Sequence, residues 1–235
     1  MRSFTCLFGL ALLSSCRVAE PTITADTIMA EDDSAGAIHL RSTFAMGQQE
    51  GSHPSKHVGI EIEIHSGEFD DQLSLGEDLR LDENLISGPI GVRGDFDLSR
   101  SSLFVEWRDP ETSSHRFTKY AGLSFTNLDM EIAAGPTRDT LHDLAIGALF
   151  GGRINTTVVQ DVDVYAKLEW HVGKAQTGNV FQSLLEAGAA WHFHDAYGVH
   201  FGWQLNDFQM ERDSDDLSDI DLSFGGPFVT LLFSR

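Results

Sequence analysis

The chain has 235 residues, 41% of them hydrophobic and 22% charged, which is enough for one domain with a sizeable core. Lys and Arg number 16 against 36 Asp and Glu, which gives a net charge of −20. Because nucleic acids and anionic bilayer surfaces are bound through Lys and Arg, this balance argues against a nucleic-acid partner.

The first segment, residues 1–15, predicts a secretory leader. Arg2 supplies the positive start, and residues 4–13 form an apolar run that is too short to span a bilayer. The run ends in LSSC at residues 13–16, which resembles the lipobox of bacterial lipoproteins. The resemblance implies cleavage before Cys16 and its acylation by diacylglycerol and a further chain such as palmitate, which would anchor the protein firmly. The alternative is ordinary secretion with an unmodified Cys16.

The next segment, residues 16–36, is acidic and has no sustained hydrophobic period, which predicts a lipidated N-terminus followed by a tether. The two cysteines are Cys6, inside the leader, and Cys16, so the mature chain would hold neither a free thiol nor a disulfide. Arg17 stands where inner-membrane lipoproteins tend to carry Asp, and by that resemblance we expect the outer membrane. Residues 37–235 then form the third segment, a β domain.

Strand-like segments follow one another through the rest of the chain, and none of them carries a helical apolar stripe of three turns. Residues 68–86 are predicted to form a long acidic loop between two of them. The predicted strands span about 37–47, 56–67, 87–98, 101–109, 115–127, 141–154, 158–172, 179–194, 198–210 and 219–234.

Apolar and polar residues alternate within these segments. In VDVYAKLEWHVG (162–173) the alternation is unbroken and longer than most strands of soluble proteins. In residues 60–65, isoleucines alternate in the same way with Glu, Glu and His. Long consecutive strands with one uncharged face each predict an all-β fold, an antiparallel up-and-down transmembrane β-barrel of about ten strands, in a range of roughly 8–12.

The two faces of the strands indicate which one points inward. The polar face holds small residues such as Gly188 and Gly202 together with charges of both signs, as expected for a narrow interior in which charges pair. The apolar face is almost free of charge, as expected for contact with lipid, where a midplane charge costs about 2–4 kcal/mol. The predicted interior charge network comprises Glu61, Glu63, Arg93, Asp95, Asp97, Glu106, Arg108, Asp163, Lys167 and Glu169.

From its first predicted strand onward the chain resembles the small outer-membrane β-barrel proteins of Gram-negative bacteria, and SFGGPFVTLLFSR (223–235) resembles their last strand. The resemblance implies insertion by the barrel-assembly machinery and contact with outer-membrane lipid. It also implies a non-catalytic role, structural, adhesive or that of a narrow pore, without a cofactor and with an unknown ligand. We therefore expect a protein of the bacterial outer membrane that is lipid-anchored through Cys16.

Two other functions stay open on the sequence alone. A soluble lipocalin-like barrel would show the same alternation with inside and outside exchanged, and it would bind a hydrophobic ligand while tethered through Cys16. An outer-membrane acyl hydrolase would need a Ser, a His and an acid within reach of one another. His65-Ser66 and Ser114-His115 are the neighbouring pairs in or beside predicted strands, and neither fits the pattern expected of such enzymes.

The hairpin WHFHDAYGVHFGW (191–203) carries the candidate metal ligands. A short turn would place His192, His194 and His200 on the polar side near Asp163, where imidazoles could bind zinc. The alternative is that these histidines line the mouth of the barrel and bond to backbone and water. Because their spacing is loose, we expect no metal site here.

Overall fold

The computed structural model describes residues 27–32, 37–45, 55–80, 82, 84–109, 115–194, 197–214 and 217–234, and every regular element in these ranges is a strand. The predicted all-β class is therefore confirmed. None of the described residues forms a helix with the length and hydropathy that crossing a membrane requires. The strands are β1 (Thr27–Asp32), β2 (Ala37–Ala45), β3 (Ser55–Leu73), β4 (Asp78–Leu79), β5 (Ile86–Ser87), β6 (Ile90–Arg108), β7 (His115–Ala134), β8 (Thr137–Val159), β9 (Val162–Lys174), β10 (Gly178–His194), β11 (Tyr197–Arg212) and β12 (Asp219–Ser234).

Within the described ranges, nine strands form a closed ring in the order β2, β3, β6, β7, β8, β9, β10, β11 and β12. The ring closes between β12 and β2, which run parallel, while its other neighbours are antiparallel. An up-and-down ring with an odd number of strands requires one such parallel pair. β1 also runs parallel to β12, with Thr27 opposite Asp219. It pairs with the same edge of β12 as β2, whose Ala37 is opposite Phe228 further along that strand.

One predicted turn does not exist. The predicted break at residues 99–100 lies inside β6, which runs without interruption from Ile90 to Arg108. Phe96 and Leu98 are buried in the interior, whereas Leu103, an odd number of residues further on, is 49% exposed on the outside. Because the apolar residues change face within the strand, the pattern resembles two strands joined by a turn. The sequence therefore predicts ten strands where the ring has nine.

The ring has two ends, which we call the cap end and the mouth end. The cap end is formed by the described residues of the connections 74–89, 135–136, 175–177 and 213–218. The mouth end is formed by the last residues of β2, β6, β8, β10 and β12 and the first residues of the strands between them. The tight turns after β7 and β8 contain the positive φ angles that two-residue hairpins use, 58° at Gly135 and 63° at Asp161.

The described residues of the connection 74–89, which includes most of the predicted loop 68–86, cover the cap end. β4 and β5 pair with each other here, and their Leu79 and Ile86 are 1% and 3% exposed. The backbone N–H of Arg80 donates to Ser218 Oγ at 3.1 Å and ties the segment to the start of β12. Leu79 and Ile86 belong to an apolar cluster that fills the interior at this end, with Phe69, Leu73, Phe96, Leu98, Leu128, Ile132, Phe208, Ile220 and Phe224.

The predicted tether, residues 16–36, contains a strand. Thr27–Asp32 form β1 and pair with β12 over their whole length. The predicted leader at 1–15 and the predicted lipidation site Cys16 lie outside the described residues.

Interior glycines allow close approach of neighbouring strands. Gly188 and Gly202 are opposite each other in β10 and β11, and a Cβ added to Gly202 would lie 2.6 Å from Gly188 Cα and closer still to the Ala187 carbonyl oxygen. We expect Gly202→Val to lower the free energy of unfolding by about 1–3 kcal/mol, because backbone atoms cannot move aside without disturbing the pairing. Ala187→Val, on the exposed face, is the matched control. Denaturant titration measures both, and equal stabilities would contradict this packing.

Candidate functional site

Large apolar side chains cover the outside of the ring toward the mouth end. Phe201 is 50% exposed, and Leu168 and Ile62 are each 39% exposed. Monomeric soluble proteins rarely leave an apolar surface of this extent uncovered. Every ring strand contributes to this apolar band, for example through Phe44, Ile62, Leu103, Phe125, Phe150, Leu168, Leu185, Phe201 and Val229.

The outside becomes polar toward the cap end. On β11, for example, Leu205 is the last exposed apolar residue, and exposed Asp207, Gln209 and Glu211 follow it. The pairing places Ser99 opposite Asn127, and Asp207 opposite both Ser183 and Ser223, so the change occurs at adjacent positions on these neighbouring strands. The cap-end surface is rich in acids, with Glu68, Asp70, Asp95, Asp97, Asp129, Glu131 and Asp221.

These acids lie side by side on neighbouring strands. Asp95 on β6 is opposite Glu131 on β7 and Glu68 on β3. Partial burial, and then the negative charges of Glu131, Asp97 and Glu68, raise the pKa of Asp95 above its usual value. Two arginines pair with these acids: Arg93 Nε lies 2.8 Å from Asp70 Oδ1, and Arg138 Nη1 lies 2.8 Å from Glu131 Oε1.

The interior has the opposite polarity. At the level of the apolar band it is filled with charged side chains, and Lys167, 2% exposed, is at their centre. Its Nζ lies 3.2 Å from both Glu61 Oε1 and Glu169 Oε2, 3.8 Å from Glu186 Oε1 and 3.9 Å from Glu63 Oε1. A buried cation is tolerated because these carboxylates replace its hydration.

Two arginines continue this network across the ring. Arg100, 1% exposed, places Nη2 2.5 Å from both Glu63 Oε2 and Glu169 Oε1. Arg41 bonds to Glu61 at 3.0 Å and to Glu106 at 2.8 Å. Glu169 lies on β9 and Arg100 on β6, which are not neighbours in the ring. The ion pairs therefore connect opposite walls, and side chains occupy the space between them.

The structure places most of the predicted network inside the ring. Glu61, Glu63, Glu106, Asp163, Lys167 and Glu169 are buried, and half-buried Arg108 pairs with Glu106 toward the mouth end. The prediction is wrong for Arg93, Asp95 and Asp97, which lie on the outer surface near the cap end. These three precede the point in β6 where the apolar residues change face. In the mouth-end half of the ring the charged residues point inward, and the prediction applied the same rule to these three, which point outward.

Three network members are absent from the predicted set. Arg41 and Glu186 alternate with apolar residues in β2 and β10, so the same period-two pattern could have identified them. Arg100 could not be identified, because it falls in the predicted turn at 99–100.

The predicted histidine cluster is not arranged as a metal site. His192 and His194 are exposed, and His194 is opposite Tyr197 rather than Gly198, because the pairing of β10 with β11 shifts register between Trp191 and His194. His200 is buried with its two ring nitrogens 3.3 and 3.1 Å from the Nη atoms of Arg153. The guanidinium of Arg153 thus lies where a metal ion bound to His200 would be. Of the predicted ligands, His192 does approach Asp163, with Nε2 3.7 Å from Oδ2.

His65 and Ser66 do not form the base and nucleophile of a hydrolase site. His65 is buried in the interior, while Ser66, the next residue of β3, is exposed on the outside. Consecutive strand residues point to opposite faces, so this pair cannot act as base and nucleophile. Ser114 lies outside the described residues.

Comparisons of the chain with protein-family models, with curated proteins and with solved structures find no match, so its function has to be inferred from its own residues and contacts.

Proposed function

We propose that the chain is an outer-membrane β-barrel protein whose interior is closed by side chains, with a structural or adhesive role and no catalytic one. The reversal of polarity along the ring carries this proposal. The mouth-end part is apolar outside and charged inside, whereas the cap-end part is polar outside and apolar inside. Contact with hydrocarbon favours the first arrangement and contact with water the second.

The height of the apolar band supports insertion in a bilayer. The band extends from Tyr197 to Leu205 on β11 and from Leu185 to Phe193 on β10, where Leu185 is opposite Leu205. With a rise of about 3.3 Å per residue and a tilt of about 40°, each of these stretches spans roughly 20 Å along the axis. The apolar band of outer-membrane barrels is about 25 Å tall. Closure of the ring also pairs the strand edges, as lipid contact demands.

The charged interior favours this proposal over a carrier or a pore. A lipocalin-like carrier would need a dry apolar cavity, but Arg100, Lys167 and their carboxylates occupy the interior inside the band. A pore would need an open path along the axis, whereas ion pairs join opposite walls and residues 74–89 cover the cap end. A closed barrel is thus the best-supported form.

The cap end is oriented outward in this proposal. The connection 74–89 is the longest within the described residues, and outer-membrane barrels place their longer loops outside the cell. The acidic cap-end surface would then face the medium, where it could contact a partner. Cys16 would carry the lipid, and the barrel-assembly machinery would insert the chain, as the resemblance to outer-membrane proteins implies.

Replacing residues 1–16 with an ordinary cleavable secretory leader separates the barrel from its lipid anchor. We expect the protein to stay in the outer-membrane fraction after washing with alkaline carbonate, since the apolar band holds it there. It should also migrate faster on a gel when unheated than when boiled, as folded barrels do. The matched control is the natural leader with the same barrel.

Release of the leader-exchanged protein as a folded soluble species would reject the proposal, and it would favour a tethered soluble barrel. Conductance in planar bilayers tests whether the interior of the barrel is closed. We expect none above the unmodified bilayer, and steady single-channel currents would contradict a closed interior.

A further inference from the structure

His39, Glu63 and His65 lie together inside the ring, next to the charge network. His39 is on β2, directly opposite Glu63 on β3, and His65 is two residues further on the same face of β3. All three are buried, with exposures of 1%, 0% and 0%. Burial of this kind demands a partner for each polar atom.

The distances among these side chains suit a metal ion. His39 Nδ1 lies 3.5 Å from Glu63 Oε1, and His65 Nε2 lies 3.6 Å from Glu63 Oε2. One potential ligand atom from each of the three residues lies within 4.8 Å of the other two. In tetrahedral zinc sites, with metal–ligand bonds of about 2.0–2.1 Å, ligand atoms are about 3.4 Å apart. The three residues therefore need only small movements to coordinate one ion.

The imidazoles are not satisfied by the protein. Among the described residues, neither ring nitrogen of His39 has a hydrogen-bond partner, and Nε2 of His65 has none either. Buried nitrogens without hydrogen bonds are costly, and the contacts of His39 Nδ1 and His65 Nε2 with Glu63, at 3.5 and 3.6 Å, are too long to replace their hydration in full. A bound ion would satisfy two of them at once.

A neighbouring amide would orient His65 for coordination. Gln204 Nε2 lies 3.3 Å from His65 Nδ1, while the buried Gln204 Oε1 has no partner within the described part of the chain. Rotation of the amide by half a turn would let Oε1 accept from the Nδ1–H of His65. That bond fixes the tautomer in which the Nε2 lone pair is free for a metal ion, as in many metal sites.

The surrounding charges leave room for a cation. Arg100 and Lys167 approach Glu63, but they are shared with other carboxylates. In the linked cluster, five carboxylates (Glu61, Glu63, Glu106, Glu169, Glu186) meet four cations (Arg41, Arg100, Arg108, Lys167), so neutral histidines leave a charge of −1. Glu186 Oε1, 3.5 Å from His39 Nδ1, supplies a possible fourth ligand.

We propose that His39, Glu63 and His65 bind a divalent transition-metal ion of the zinc class inside the ring, with Glu186 or water in the fourth position. Two imidazoles and a carboxylate are the donor set that zinc accepts. The ion would cross-link β2 to β3 beside the β12–β2 closure, and its role would be structural. The competing arrangement is an imidazolium at His39, held between Glu63 and Glu186.

The test measures metal bound to the full mature chain, produced without an oligohistidine tag. The protein is unfolded with chelator, then refolded in detergent with excess zinc or cobalt and freed of unbound metal. We expect about one ion per chain by elemental analysis and, for cobalt, the visible absorption of a tetrahedral site. His39→Gln and Glu63→Gln should lose the ion.

His171→Gln is the matched control, because His171 is equally buried and bonds to Glu169 at 2.7 Å outside the proposed site. It should keep the ion. Wild-type protein that refolds without retaining zinc or cobalt would overturn the proposal and leave the imidazolium. Retention by His39→Gln would overturn it as well. If the variants do not fold, the metal content of the wild type still decides.

Discussion

Phe201→Arg is expected to lower the free energy of unfolding of the lipid-embedded protein by about 2–4 kcal/mol. Phe201 lies midway along the apolar band on β11 and is 50% exposed. The substitution would therefore place a guanidinium in hydrocarbon. On a soluble protein, the same change at an exposed site would leave stability within about 0.5 kcal/mol of the wild type. Urea titration in phospholipid vesicles, followed by tryptophan fluorescence, measures the difference.

The matched control is Gln209→Arg. Gln209 lies on the same face of β11, beyond the band toward the cap end, and is exposed. We expect it to remain within about 0.5 kcal/mol of the wild type, because its side chain would be in water. Equal effects of the two substitutions, whether small or large, would contradict a lipid-facing band.

Lys167→Met is expected to destabilise the protein by about 3–5 kcal/mol, the cost of leaving buried carboxylates without their shared cation. Lys167 lies within 4 Å of Glu61, Glu63, Glu169 and Glu186, and its side chain is 2% exposed. Methionine has most of the volume of lysine, so the lost charge, rather than a cavity, should account for most of the destabilisation. The same urea titration measures the effect.

Lys174→Met is the control for removal of a lysine from the same strand. Lys174 pairs with Asp213 at 2.6 Å but is 55% exposed, so we expect a change of at most about 1 kcal/mol. The double variant Lys167→Met/Glu186→Gln should recover part of the loss, because it removes one of the uncompensated carboxylates. If Lys167→Met left the free energy of unfolding unchanged, the charge network would not be what stabilises the interior.

The strands of the ring were largely predictable because a period of two persists over long stretches. The predicted strand at 179–194 agrees with β10 (Gly178–His194) to one residue, and that at 219–234 agrees with β12. The failure in β6 has a physical cause. The strand passes from a water-exposed extension into the apolar band, so the face that is apolar changes at Ser99. A single rule for the whole chain cannot describe a wall whose outer face is polar at one end and apolar at the other.

The interior site was predictable in composition but not in partners. Glu61, Glu63 and Lys167 follow from alternation alone, yet the contact of Lys167 with Glu61 depends on which strands face each other across the closed ring. The same limit applies to His39 and His65. Their meeting with Glu63 depends on the register of β2 against β3, which short-range pattern does not determine.

Lipid contact is tested most directly by the environment of single spin labels on the outside of the ring, in the apolar band and on the cap-end surface, measured in lipid vesicles. Cysteines replace Phe201 and Leu168 in the apolar band and Asp97 and Gln209 on the cap-end surface, one at a time, in the leader-exchanged chain that lacks both Cys6 and Cys16. We predict that the first two labels collide with lipid-soluble oxygen and are shielded from a water-soluble nickel chelate. The other two should show the reverse. Accessibility of the Phe201 and Leu168 labels to the chelate would contradict a membrane-embedded band.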